Sequence, residues 1–476
     1  MPANYLHGVE TITVDVGGRP VQVVKSAVIG VVGCAPIHLL AEADRVINRP
    51  MLILNDRHAA AKLGPGSAGF SLPAAVAACQ LKVYTPIIAV NVFDPAVHKT
   101  AIAAEAVLLD ADRKATLAHP HVYNLVVKNQ AGAVTYVEGV DYTYDSATGV
   151  ITGIGATLVA AVNLKVDYDY ADLTKVTADD IIGAVDEAGQ RTGMQAWQDA
   201  RSLFGFSPRI LIAPGYSSLN TVAAALHVAA GKLRAIDYID APAGTDVETA
   251  LTGRGPQGAI NFNTADERAM LLCPHLMVGT EVVPYSQYKA GIRAWVDIEF
   301  GWWYSDSNRE IPGITGTEYP ITAAVNDPAC EANILNEAGI TTVFCDFGTG
   351  FRTWGNRNAS FPSASGIDTF ECNIRTADII EDSIEFAMLQ FMDLPPSFAL
   401  LDAIVESVRG FLRSRIQEGA ILGGNCWFVR DDNPDEEMAN GHFTLWYDFL
   451  PPGALERLTF KRRYNMAYYK SLFGGN

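Results

Sequence analysis

The sequence predicts a multidomain α/β protein. Its core is a mainly parallel sheet, a β-rich domain is inserted into that core, and extended arms stand at both ends. Three observations carry this. Apolar runs such as 27–33 (AVIGVVG) and 209–213 (RILIA) do not alternate, as expected of strands covered on both faces, and helix-like segments lie between them. Between residues 97 and 170 helical periodicity gives way to short strands and turns. Both termini carry strand-like apolar residues with little beside them.

Taken in order, residues 9–14 (VETITV) form a strand with Val9, Ile12 and Val14 as its apolar positions. Gly17-Gly18 is a turn or flexible joint, and residues 21–24, with Val21 and Val23, make a second strand. This segment reads as an arm. The buried strand 27–33 follows, then a short apolar run at 51–54. Ser71 caps a helix running to Gln80, and residues 83–93 return as a strand. The β-rich unit opens on a short Ala-rich stretch of helical character. It continues as a meander whose turns are 129–132, 138–139 and 146–149. Asp141, Asp145, Asp167 and Asp169 lack a contiguous ligand loop, so they read as a solvated strand face rather than a calcium site.

Helix resumes at Thr177, an N-cap with Asp179 and Asp180 in the first turn, and again over 190–204. Pro214-Gly215 breaks the strand 209–213, and Ser217 caps a helix over 219–230 that Gly231 ends. Further strands are expected at 235–239, 270–278 and 341–347, with a helix at 329–338. Pro395-Pro396, a Ser397 cap and Gly419 bracket a long helix. Phe398, Leu401, Val405, Val408 and Leu412 recur at three and four and predict its buried face. In the tail, Phe443, Leu445, Tyr447 and Phe449 share one strand face, and Leu458, Phe460 and Tyr464 another. Pro451-Pro452-Gly453 makes the turn between them. The final run sets Met466, Tyr468 and Leu472 against Tyr469 and Phe473, bulky on both faces. It is either the last strand of its own domain or an arm that completes a sheet in another molecule. The implied domains are an arm at 1–24, the core at 25–96 and 177–358, the insertion at 97–176, a C-terminal α/β domain at 359–452 and a terminal strand and arm at 453–476.

The net charge of −18 disfavours nonspecific nucleic-acid binding, which needs a basic face. Seven cysteines without a Cys-x-x-Cys pair argue for reduced, buried thiols and against a zinc site. No apolar run is long enough to suggest a membrane span, and the first residues do not read as a signal peptide. The chemistry of catalysis is thin. Residues 215–219 (GYSSL) half-match a nucleophile elbow but lack its second glycine. A soluble serine hydrolase using Ser217 with His227 and Asp240 or Asp246 is the alternative from another functional class. Gly348-Thr349-Gly350 has no phosphate-loop lysine and reads as a turn. Asp431, Asn433, Asp435 and Glu437 lack the central glycine of a calcium loop and read as an acidic loop. No catalytic residue, cofactor or metal site is expected.

Four stretches together resemble the tail sheath proteins of contractile-tailed bacteriophages. They are HGVETITVDVGGRPVQVVKSAVIGVVGCAP from His7, LFGFSPRILIAPGYSS from Leu203, VPYSQYKAGIRAWVDIEFGWWYSDSNREIPGITG from Val283, and LNEAGITTVFCDFGTGFRTWGNR from Leu335. The resemblance covers nearly the whole chain outside the β-rich unit. It implies a core of the fold called subtilisin-like, without catalysis. It also implies a structural subunit of the virion tail, assembled in the host cytoplasm as stacked hexameric rings. Its partners would be further copies of itself, the tail tube protein, the baseplate, and a tail terminator or neck. Contraction would drive the tube through the host envelope. A tailocin or contractile injection system is the runner-up within this reading. The resemblance further implies that both termini add strands to a sheet in a neighbouring subunit. Gly17, Gly18, Pro451, Pro452 and Gly453 would be the joints, and Val9, Ile12, Val14, Val21, Val23, Met466, Tyr468, Tyr469, Leu472 and Phe473 the arm residues. Strand pairing survives rigid-body rotation if such joints absorb it.

Overall fold

Unbroken apolar runs become the middle of a nine-stranded sheet in a computed structural model, which describes residues 21–473 apart from positions 256, 346, 347 and 349. Val9, Ile12, Val14, Gly17 and Gly18 lie outside the described residues. Strands β1 (Ile29–Gly33), β2 (Pro50–Ile53) and β3 (Ile87–Asn91) surround helices α1 (Asp56–Leu63) and α2 (Ser71–Cys79). A β-rich unit follows: β4 (Lys99–Leu108), β5 (Lys114–Thr116), β6 (Val122–Asn129), β7 (Tyr142–Asp145), β8 (Val150–Gly153) and β9 (Asn163–Ala171). The chain then runs through α3 (Ala178–Ile182), α4 (Ala200–Phe204), β10 (Ile210–Ile212), α5 (Asn220–Leu233), β11 (Ile236–Asp240), α6 (Val247–Thr252) and β12 (Ala269–Leu272). Next come β13 (Leu276–Val278), β14 (Glu281–Val283), α7 (Ser286–Glu299), β15 (Arg309–Glu310), β16 (Gly316–Thr317), α8 (Glu331–Glu337), β17 (Ile340–Phe344) and β18 (Arg352–Trp354). The C-terminal part holds α9 (Glu371–Met388), α10 (Phe398–Gln417), β19 (Gly423–Phe428), α11 (Asp435–Ala439) and β20 (Leu445–Leu450).

The large sheet has the order β15-β18-β17-β12-β11-β10-β1-β3-β2. Its middle is parallel from β3 through β1, β10, β11 and β12 to β17, with antiparallel strands at each end. Every residue of β1, β3, β10, β11, β12 and β17 is buried, which is why these strands carry no alternation. Helices α2 and α7 cross closely at Gly291, where an added Cβ would stand 2.6 Å from the Cys79 carbonyl oxygen. Gly291→Ala is therefore expected to cost about 1–3 kcal/mol. Thermal melting checks this, and an unchanged midpoint would contradict it.

Residues of the β-rich unit make two three-stranded sheets, β4-β9-β6 and β5-β8-β7, around a core of their own that includes Val127, Tyr142, Ile151 and Val166. The Ala-rich start expected to be helical is strand β4. Its pairing with β9 shifts between Ile102 and Glu105, where Ala104 takes φ 53°. Cross-strand pairing thus overrides the alanine propensity. The four aspartates are spoken for locally. Asp167 pairs with Lys128 and Asp169 with Lys99, Asp145 accepts from Thr148 in its own turn, and Asp141 accepts from Thr157.

Several local expectations are corrected. Ser71 opens α2 rather than capping it, because its Oγ accepts from the Cys34 N–H at 3.2 Å. The strand expected from residue 83 begins only at Ile87. The helix expected from 190 is a 3-10 turn (Gly193–Asp199) leading into α4; Gly193 takes φ 53°, where an added Cβ would stand 2.6 Å from the Asp180 and Ile181 carbonyl oxygens. Ser217 does not cap α5. Leu219 stands at that N-cap with no side-chain bond, and the helix passes Gly231 to end at Arg234 in the left-handed region. Thr177 does cap α3, with a full capping box through Asp180.

Candidate assembly interface

The C-terminal element is built outward from α10. Ser397 Oγ accepts from the Leu400 N–H at 3.1 Å and starts the helix after the two prolines. Val405, Val408, Phe411 and Leu412 form the buried face, joined by Trp302 and by Leu445, Tyr447 and Phe449 from β20. Those three β20 residues share the inward face as their alternation predicts. Phe398, the first residue of α10, does not belong to the buried face: it is 88 % exposed. Phe386, Leu389, Met392 and Leu394 around the α9–α10 turn are also exposed.

Strands β19 and β20 pair antiparallel over six residue pairs, from Gly423 with Leu450 to Phe428 with Leu445. Among the described residues they form a sheet of two strands, so the outer edge of each is unpaired. Buried Asn433 organises their connection, donating to the Val429 and Thr444 carbonyls and accepting from the Thr444 N–H. Around it Asp435 pairs with Arg430, and Glu437 lies 2.7 Å from His442 Nδ1. Among the described residues no group of three or more His, Cys, Asp or Glu is placed to hold a metal ion, and no helix is long and apolar enough to cross a membrane.

The terminal segments meet this element differently from expectation. Val21 and Val24 pack on the C-terminal cluster, and the Val24 N–H donates to Ser383 Oγ at 3.2 Å. Val23 points outward, and residues 21–24 form no strand. Pro451 is buried, Pro452 is exposed and Gly453 takes φ 69°. Arg357 holds Glu456 at 2.6 Å. Beyond it the run with Leu458, Phe460 and Tyr464 forms no strand, and Phe460 is 86 % exposed. Residues Met466–Phe473, including Leu472 and Phe473, are a 3-10 helix, not a strand. With no edge alongside, local i→i+3 bonds such as Tyr468 N–H to the Asn465 carbonyl satisfy the backbone instead. Met466, Tyr468 and Tyr469 are all exposed.

What fixes the C-terminal element to the sheet went unread in the sequence. Arg209, Arg234 and Arg268 stand just before β10, β11 and β12, and α9 presents Asp378, Asp382 and Glu385 to them. Arg268 holds Asp378 in a two-bond fork of 2.6 and 2.8 Å. Arg234 reaches Asp382 at 2.8 Å and Glu385 at 2.7 Å, and Arg209 also pairs with Asp382. Deeper in, Asp297 of α7 bridges Arg293 and Arg375, Lys289 holds Asp306 at 2.6 Å, and Tyr238 donates to Glu371 at 2.6 Å. Burial alone would raise Asp306, but Lys289 and Arg293 hold it below the usual carboxylate range. Burial, reinforced by Asp306, raises Glu371. The legible signal was the acidic spacing at 378, 381, 382 and 385, one face of a helix.

Of the residues of the hydrolase alternative, the structure brings Ser217 and Asp240 together but gives His227 to a different carboxylate. Ser217 is fully buried and bonded to Asp240, donating to Oδ2 at 3.3 Å and accepting from the Asp240 N–H at 3.2 Å. His227 bonds Asp237 at 2.7 Å, and Asp246 caps α6. Ser217 is thus a core strut. Ser217→Ala is expected to cost about 1–3 kcal/mol by stripping Asp240 of a partner, while polymer formation persists. Lost assembly with an unchanged melting curve would contradict this. All seven cysteines are free, and burial pushes the Cys34 thiol up to about 11 and those of Cys273 and Cys372 up to about 12.

Comparison with known proteins agrees with this architecture. Residues 189–359 match the family model described as the phage tail sheath protein central domain. Residues 95–179 match a second family model, described only as a protein of unknown function. The tail sheath protein of Burkholderia phage BcepMu is 47% identical over 485 aligned residues, spanning 100% of both chains. That of Escherichia phage P2 is 32% identical over 302 residues, covering 62% of this chain and 73% of its own. Among solved structures, the helical sheath of the anti-feeding prophage in its contracted state aligns with a TM-score of 0.59. It is 13% identical, and the alignment covers 97% of this chain and 100% of that one, a likeness of fold.

Proposed function

This chain belongs to the tail sheath proteins of contractile-tailed bacteriophages, and from that premise we propose how its parts serve a contractile sheath. The observation that carries the functional reading is the full-length match to a phage tail sheath protein. The subunit is a structural component of the tail. It stacks as hexameric rings around the tail tube, from the baseplate towards a terminator or neck, and shortens to drive the tube through the host envelope. No catalytic step is needed: the extended lattice stores the free energy and contraction releases it.

The arms link the subunits. Strand addition at the outer edges of β19 and β20 by the termini of neighbouring copies would pair the open backbone groups. Two features support this. Leu458, Phe460, Tyr464 and Met466 stand exposed on one subunit, as the large side chains of an interface do. Residues 457–473 carry five basic side chains and no acidic one in a chain of net charge −18, and residues 431–437, between the recipient strands, carry five acidic ones. The unit at 97–176 is proposed as an inserted domain facing away from the tube, on a core of the fold called subtilisin-like. Its separate sheets and separate core support that division.

Negative-stain microscopy of the purified protein tests the reading. Long tubular polymers are expected. A monodisperse globule at every concentration and salt condition would overturn it.

A further inference from the structure

Where the β-rich unit meets the central sheet, three histidines gather in an aromatic box. His38 follows β1, and Phe70 and Phe93 flank it from the sheet side. His121 and Tyr123 come from the start of β6, and His98 from the stem that leads into β4. His38 and His121 stand edge to face, with ring centroids 5.7 Å apart and planes at 83°. Tyr123 lies 5.4 Å from the His38 ring, and Phe70 5.0 Å from that of His121. His38 is 5 % and His121 8 % exposed.

The hydrogen bonding is lopsided. His121 Nε2 donates to the Ala68 carbonyl at 3.2 Å, and its Nδ1 has no partner. Neither ring nitrogen of His38 has one. A packing residue would be better served here by phenylalanine, since buried polar atoms without partners cost stability.

We propose that His38 and His121 form an acid-sensitive latch between the central sheet and the β-rich unit, closed while both rings are neutral and opened when they take protons. The charged groups around the pair favour this sense. Arg45, on the segment after His38, is a cation whose guanidinium donates to the His38 and Leu40 carbonyls. On the β3 exit, Asp94 gives its backbone N–H to His98 Nδ1. From α3, Asp180 stands 3.6 Å from His98 Nε2, and it also accepts from Thr177. On β9, Asp169 is engaged by Lys99 and Asn124. The Tyr123 hydroxyl donates to the Pro95 carbonyl. None of these carboxylates bonds either latch ring.

Burial, then the neighbouring His121 and Arg45, hold His38 down to about 3, and burial holds His121 below the usual histidine range despite its Ala68 bond. An opened histidine titrates near 6.5. The closed junction therefore keeps its full stability above about pH 6.5 and loses it progressively as the pH falls, by up to about tenfold per unit for each ring.

Hydrogen exchange of the full chain between pH 7 and 5, corrected for the intrinsic pH dependence of amide exchange, tests this. Peptides across 66–72 and 117–125 should open increasingly as the pH falls, while those across β11 and β12 stay protected. His38→Phe should roughly halve the slope, and His38→Phe combined with His121→Gln, which keeps a donor for Ala68, should abolish it. A flat wild-type profile, a slope that survives the double substitution, or core peptides opening in step with the junction would overturn the latch. Should His38→Phe not fold, His121→Gln alone must halve the slope or the proposal fails.

Discussion

Deleting residues 465–476 will leave a subunit that folds and melts like the full chain but builds no stable sheath. The fold survives because this segment adds little to its own subunit. Met466 is 68 %, Tyr468 75 % and Tyr469 58 % exposed, and the C-terminal core is complete with β20. Glu456 keeps its bond to Arg357, so the chain up to that point stays in place. On the proposed strand addition, assembly fails because every subunit loses the same link, and links that act together in a lattice fail together. Circular dichroism and melting report the fold, and sedimentation and microscopy report the polymer. Normal contractile tubes from the truncated protein would refute the arm. An unfolded product would make the last run part of its own subunit's core.

Asp297→Ala will cost about 3–5 kcal/mol, more than either Gly291→Ala or Ser217→Ala. Among the described residues Asp297 is the one carboxylate that bonds both Arg293 and Arg375, and all three side chains are buried. Its loss leaves two buried guanidinium groups without their shared carboxylate. Arg375 also donates to the Arg209 and Ser26 carbonyls, so the strain spreads to the start of β10 and the segment entering β1. Trp302 and Trp303 lie with the C-terminal cluster, and their fluorescence should report its loosening at a lower temperature or denaturant concentration than in the wild type. A shift worth less than about 1 kcal/mol would show that the bridge is not needed.

The parallel core was legible because burial on both faces removes alternation, and residues 27–33 and 209–213 show this directly. So was α10, whose proline pair, serine cap and apolar spacing agree. Ser217 was misread because a serine before a helix looks like a cap, whereas a carboxylate 23 residues on claims its hydroxyl. The tail over 458–473 forms no strand within its own subunit. Period-two alternation records what a segment can pair with, and residues 458–473 lie along no strand edge of the described subunit. The buried ionic bridges were illegible for a different reason. Arg375 and Asp297 are 78 residues apart and Tyr238 and Glu371 133, so no local spacing announces them.

The bonds between α9 and the strand starts have a mechanical consequence. Arg209, Arg234 and Arg268 precede three adjacent parallel strands, and one stiff helix carries their carboxylate partners. A pull on β19 and β20 reaches the sheet as a load divided among several rungs at once, spread over three strand ends. Such a joint does not peel open rung by rung. It holds until the rungs yield together, so a jolt that swings the C-terminal element carries the whole central sheet with it.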